Sequence, residues 1–191
     1  MITTAPKNIH IYLESNPNPN SLKFVVNEVL IPEGLSFDFP SPAEAEEAPL
    51  AQELFMYPFV DRVFYANNFV TVTKKEEVEW MEVQETLKNH IKTFLESGKL
   101  ILDMKAPAAP EQEETETVKK IKTILDEYIR PAVEQDGGAI TFHSYLNKQV
   151  TVMLQGSCSG CPSSTITLKA GIENLFKRMM PEEVESVEAL G

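Results

Sequence analysis

Cys158 and Cys161 are the only cysteines in this 191-residue chain, and only two residues separate them. That spacing is too tight for a disulfide that closes a structural loop, so the pair points to thiolate chemistry: metal ligation or thiol–disulfide exchange. The surrounding Gln155-Gly-Ser-Cys-Ser-Gly-Cys-Pro-Ser-Ser164 is polar and glycine-rich, which argues against two thiols buried merely as small apolar side chains. Ser157, Ser159, Ser163 and Ser164 read as capping and solvating residues, because no histidine and acid stand nearby in the sequence to activate a hydroxyl. No bond-making catalysis is expected, and the chain reads as a non-enzyme.

Two thiolates do not fill the four positions of a tetrahedral zinc site or an iron–sulfur cluster. His10, His90 and His143 qualify as further ligands by residue type alone: His90 falls on an apolar helix face, and the other two fall in strand patterns. A second copy of the same loop would supply two more sulfurs without any other residue. Three readings follow from the residues: a cluster shared by two subunits, a zinc-bridged structural dimer, and a monomeric dithiol–disulfide oxidoreductase. Against the last stand the intervening Ser159-Gly160, the lack of an aromatic residue before Cys158, and a preceding helix and hairpin instead of a parallel strand layout.

The elements that must hold the pair are legible around it. Val118, Ile121, Ile124, Leu125, Tyr128 and Ile129 recur at helical spacing, with a kink or break expected at Pro131 and a stop at Asp136-Gly137-Gly138. A helix stop explains that glycine pair without any further function. Ala139–Tyr145 and Gln149–Leu154 alternate as a hairpin, with Val150, Val152 and Leu154 on one face. The cysteine loop follows, then an amphipathic helix with Ile166, Leu168, Ala170, Ile172, Leu175, Phe176 and Met179, and a short strand from about Val184 to Ala189. The order is helix-strand-strand-helix-strand. It puts the cysteines where a helix begins: unpaired amide donors there favour negative sulfur, Pro162 suits the first helical position, and Gly156 and Gly160 let the loop curl. The loop itself is expected at the surface.

Upstream, Ile9–Leu13 and Leu22–Val26 read as strands around the turn cluster Asn16-Pro-Asn-Pro-Asn20. Val63–Tyr65 and Phe69–Thr73 read as a hairpin, Ser41-Pro as a helix start, and 76–97 as a helix whose apolar face carries Trp80, Met81, Val83, Leu87, His90, Ile91, Phe94 and Leu95. Residues 106–116, Ala-Pro-Ala-Ala-Pro-Glu-Gln-Glu-Glu-Thr-Glu, read as a semi-extended linker reaching roughly 20–30 Å. The expected architecture is therefore α+β: two small mixed domains, 1–105 and 117–191, joined by an acidic Pro/Ala tether at 106–116.

The net charge of −12 is unevenly spread: 9 basic against 16 acidic residues in 1–105, none against 4 in 106–116, and 8 against 9 in 117–191. An acidic first domain and a nearly neutral second one make nucleic acid and anionic membranes poor partners. No apolar run approaches the roughly 18 residues that span a bilayer, and 1–10 has neither signal- nor transit-peptide character, so a cytoplasmic location is expected.

Two blocks of sequence resemble known domains. Ile129-Arg-Pro-Ala-Val-Glu-Gln-Asp-Gly-Gly138, Leu154-Gln-Gly-Ser-Cys-Ser-Gly-Cys-Pro-Ser-Ser-Thr165 and Leu168-Lys-Ala-Gly-Ile-Glu-Asn174 resemble the C-terminal domain of NifU. Asn16-Pro-Asn-Pro-Asn-Ser-Leu-Lys-Phe24, Ser41-Pro-Ala, Phe69-Val-Thr-Val-Thr-Lys74 and Val78-Glu-Trp80 are similar to the N-terminal module of the Nfu proteins, although Asn16 stands where threonine is common. The resemblance implies that Cys158 and Cys161 hold a [4Fe–4S] cluster between two subunits. It also implies a scaffold or carrier that receives the cluster from upstream assembly proteins and passes it to acceptor apo-proteins. NifU's additional cysteine-bearing domains have no counterpart, since no other cysteine exists here.

Overall fold

The computed structural model describes residues 8–103, 115–159 and 162–191, and the chain folds as two compact units. In the first, five strands form one antiparallel sheet in the order β1-β2-β5-β4-β3: β1 is Ile11–Ser15, β2 Ser21–Val26, β3 Ser36–Phe39, β4 Val60–Ala66 and β5 Phe69–Lys74. The two-residue period of the strands puts Leu22, Phe24 and Val26, Val63 and Tyr65, and Val70 and Val72 into one core. Helices α1 (Pro49–Phe55) and α2 (Trp80–Glu96) complete it with Leu50, Leu54, Leu87, Ile91 and Phe94.

Two local expectations are corrected here, and two short elements appear that were not expected. The helix anticipated from Ser41 is a single 3₁₀ turn, Pro42–Ala45. Its continuation fails because Pro49 disfavours helical geometry at Ala48, which sits at φ −123°, ψ 81°; Pro49 then opens α1. Strand β3 and α1 had no distinct sequence signal, being four and seven residues long. Met81 is 89% exposed although its type suits a core. At ~100° per residue it lies about 120° around α2 from Leu87, whereas Trp80 lies within about 20° and packs against the core.

The second unit contains α3 (Glu116–Ile124), α4 (Arg130–Gln135), β6 (Gly138–Leu146), β7 (Gln149–Gly156), α5 (Pro162–Met179) and β8 (Ser186–Leu190). The tether expected at 106–116 falls mostly on 104–114, outside the described residues. Its end is structured: the Thr115 hydroxyl accepts from Val118 N–H at 3.3 Å, capping α3, and Glu116 already belongs to the helix. The expected kink appears as one π-helical turn, Leu125–Ile129, before the helix resumes as α4. Pro131 lacks an N–H for the carbonyl four residues earlier and its ring crowds that carbonyl, so the helix widens for a turn.

The three-stranded sheet runs β6-β7-β8, antiparallel between β6 and β7 and parallel between β7 and β8, with α5 as the crossover. Ile140, Val150, Val152, Leu154, Ile172, Phe176 and Val187 form its core with Ile121 and Val133. The amphipathic face of α5 is narrower than the sequence reading had it: Ile166, Ala170 and Met179 are exposed. Ile166 and Ala170 lie about 120–160° from Ile172 around the helix, and Met179 sits in its last turn. Among the described residues no helix is long and apolar enough to cross a membrane.

Candidate functional site

Strand β7 ends at Gly156, α5 begins at Pro162, and Cys158 lies in the turn between them. Cys161 and Gly160 lie outside the described residues, so the structure places one of the two expected ligands. The helix that follows is tied to the sheet by Glu173, whose carboxylate accepts from Val187 N–H at 3.2 Å. Lys177 beside it, and that same backbone donor, hold the Glu173 carboxyl below its ordinary value.

Cys158 is not at the surface. It is 2% exposed and belongs to the core cluster of the second unit, with Ser157 equally buried. The expectation of an exposed loop tip is corrected here, and the cause lies in the backbone around it. Gly156 takes φ +65°, turning the chain inward at the end of β7. Gly138 and Gly156 face each other in the β6–β7 ladder. A Cβ on Gly138 would stand 2.6 Å from the Gln155 carbonyl oxygen, 2.9 Å from Cys158 Sγ and 3.3 Å from Cys158 N. The Gln155 carbonyl and the sulfur together occupy the space that any other side chain at 138 would need.

The turn is also pinned to the end of α4. Ser157 Oγ donates to the Asp136 carbonyl, Ser157 N–H donates to the Gly137 carbonyl at 3.4 Å, and Ser159 N–H to the Gly156 carbonyl at 3.1 Å. Asp136-Gly137-Gly138 is therefore more than a helix stop. Gly137 alone, at φ +79°, does the stopping; Gly138 needs no positive φ and is required by the approach of the Gln155 carbonyl and of the cysteine. Sequence reading missed Gly138 and Ser157 as site residues, and the available signal was a second glycine where a helix end needs only one.

The three histidines do not gather at Cys158. His143 occupies an irregularity in β6, between Phe142 and Ser144, and is exposed. Five residues from Gly138, it stands about 16 Å along the strand. His10 and His90 belong to the first unit. His90 is engaged on both ring nitrogens, with Tyr57 OH 2.9 Å from Nδ1 and Glu53 Oε2 2.9 Å from Nε2. This chain lines a cleft of about 360 Å³ with Thr86, Asn89 and Lys99. It joins α1 to α2 and reads as a structural pin. Among the described residues no group of three or more His, Cys, Asp or Glu side chains is placed to hold a metal ion.

Comparison with known proteins matches residues 11–98 to the family described as scaffold protein Nfu/NifU N terminal, and residues 121–188 to the NifU-like domain. The protein of Drosophila persimilis named NFU1 iron-sulfur cluster scaffold homolog, mitochondrial, is 42% identical over 185 residues, covering 95% of this chain and 65% of the relative. The Homo sapiens protein of the same name is 41% identical over 181 residues, covering 93% and 70%. This chain thus spans somewhat less than two thirds of the length of the Drosophila relative. A solution structure of a NifU-like protein from Saccharomyces cerevisiae aligns with a TM-score of 0.47 at 26% identity, over 51% of this chain and 87% of that one.

These names overturn the expected cytoplasmic location: the relatives are mitochondrial proteins. The expectation rested on the first ten residues and on overall composition. Neither records a compartment when an address is carried by a segment apart from the folded domains.

Proposed function

The chain belongs to the Nfu family of iron–sulfur cluster scaffold proteins, and we propose that Cys158 and Cys161 of two copies together hold one [4Fe–4S] cluster as cargo for acceptor apo-proteins. The observation that carries this reading is the ligand count. The chain has two cysteines, and among the described residues no three His, Cys, Asp or Glu side chains gather to hold a metal ion by themselves. A cluster that takes four thiolates is then met by two loops related by two-fold symmetry.

Delivery is ligand substitution. An acceptor thiolate bonds to one iron as a carrier thiolate leaves it, repeated until the cluster has changed hands, with no electron gained or lost. The acidic first unit serves in this proposal as the docking module for donors and acceptors, with 106–114 as its tether. A chain lacking 1–105 should then lose delivery to at least some acceptors, and unchanged delivery to all of them would remove that role.

Anaerobic reconstitution with iron and sulfide tests the core of the proposal. The parent chain should take up about four irons and four sulfides per two chains and run at the mass of a dimer, while Cys161→Ser takes up none. A full complement of iron on a single chain, or no iron at all, would overturn it. Bound zinc in place of iron and sulfide would do the same.

A further inference from the structure

We infer that Gly138 and Ser157 form a seat that holds the Cys158 sulfur inside the iron-free subunit, making them positioning residues for the cluster ligand. The inference rests on the carrier reading for its purpose, but the seat itself is a property of the empty chain. Three observations meet at one point. Cys158 is 2% exposed and packed in the core. Its Sγ fills the volume that a Cβ on Gly138 would claim. Ser157, the residue before it, is bonded through Oγ to the Asp136 carbonyl and through N–H to the Gly137 carbonyl.

A helix stop is complete at Gly137, so the missing side chain at 138 answers to crowding by two groups, the Gln155 carbonyl oxygen and the cysteine sulfur. A serine hydroxyl buried beside a cysteine must find an acceptor, and the acceptor it finds belongs to the turn that carries Gly138. A thiol enclosed in this way is shielded from oxidants and alkylating agents, because reaction requires it to be accessible as thiolate. To share a cluster with a second copy, the sulfur must leave the seat. Ligation and seating therefore compete, and the competition weakens the hold on the cluster in proportion to how firmly the seat is made. A carrier that must give up its cargo is served by that weakening.

The test is the alkylation rate of Cys158 by iodoacetamide in iron-free full-length chain, with Cys161→Ser leaving a single thiol. The native rate should be about 100-fold or more below the rate in urea. Gly138→Ala displaces the sulfur directly and should raise the native rate at least about tenfold. Because its Cβ also meets the Gln155 carbonyl, that variant can fail to fold, and Ser157→Ala then carries the test: loss of the bond to Asp136 and of the 3.9 Å contact between Ser157 Oγ and Cys158 Sγ should raise the rate about 5- to 10-fold. Val187→Ala, which weakens the same unit from β8 at the far end of the sheet, should accelerate alkylation less than Ser157→Ala does. A native rate equal to the urea rate would overturn the seat. So would Ser157→Ala that reacts no faster than its parent, or Val187→Ala that reacts as fast as Ser157→Ala. Cluster binding enters none of these measurements, so a failed reconstitution and a failed seat are separate results.

Discussion

Cys158→Ser should lower the melting temperature of the iron-free second unit by roughly 5–15 °C, which a surface loop would not do. Cys158 is 2% exposed and belongs to the buried cluster that also contains Ile140, Leu154 and Ile172. A hydroxyl in that position, on a shorter bond than sulfur and facing Ser157 Oγ where the sulfur now stands at 3.9 Å, is poorly solvated and costs about 1–2 kcal/mol. For a unit of this size each kcal/mol moves the midpoint by about 4–8 °C, so a loss of 1–2 kcal/mol gives the range stated. A substitution on an exposed loop stays within about 0.5 kcal/mol. Calorimetry of the full chain reads the effect, and the fluorescence of Trp80, the single tryptophan, reports the first unit alone. The second-unit transition should fall while the Trp80 transition stays in place. Cys158→Ala, with no hydroxyl to satisfy, should cost about 1 kcal/mol. A shift below about 2 °C for both variants would refute the burial of Cys158 and the reasoning built on Gly138.

Four further outcomes follow from the backbone and the charges. Gly171→Ala in α5 should stabilise the second unit by about 0.5–1 kcal/mol in urea denaturation, because a Cβ there meets nothing within 4 Å and the helix no longer carries glycine's entropy cost. Gly98→Ala should cost about 1 kcal/mol in the same assay despite equally open surroundings, since Gly98 closes α2 at φ +71°. Lys148→Gly should gain about 0.5 kcal/mol: Asn147 and Lys148 form the β6–β7 turn at φ 49° and 61°, and relief at lysine slightly exceeds the added chain entropy. Glu53 is held below its ordinary value of 4.5, first by the hydrogen bond from Lys99 and then, against some desolvation, by His90. A depressed carboxyl stabilises the fold above pH 4.5, and that contribution is lost as pH falls through the folded value. With the side chain 33% exposed and screened, Glu53→Gln should cost less than about 1 kcal/mol at pH 7. The difference from the parent should vanish in strong acid, and a pH-independent gap would show that the carboxylate's charge is not the cause.

Much of the fold was readable because period and punctuation agreed. Val150, Val152 and Leu154 alternate, and all three are buried on one face of β7. Pro131 marks a break, and the helix widens just before it. Failures came where residue type was trusted over angle. Met81 and Ile166 are apolar residues next to well-formed apolar faces, yet each stands about 120° away from its core stripe and is exposed. Short elements failed for another reason: four residues of β3 or seven of α1 complete too little of a period to be recognised, and they form because β4 and the sheet face are there to receive them.

The depth of Cys158 was illegible in the sequence. The proposed half-site comes from counting two cysteines in the chain, and counting carries no information about burial. Whether a sulfur lies inside or outside is decided by groups that the motif does not contain. The polar residues around Cys158 suggested exposure, but Ser157 turns its hydroxyl back to the Asp136 carbonyl and is itself buried. Polarity can mark a satisfied interior as well as a surface. Gly138 and Gly171 make the same point from the other side. Both are glycines in regular elements without a positive φ, yet one abuts the cysteine sulfur and the other faces open space. Local sequence cannot separate them, because the atoms that crowd a side chain at 138, the Gln155 oxygen and the Cys158 sulfur, come from far along the chain, carried there by the pairing of β6 with β7. The position of Cys158 is thus a property of strand register, and it became visible only once that register was known.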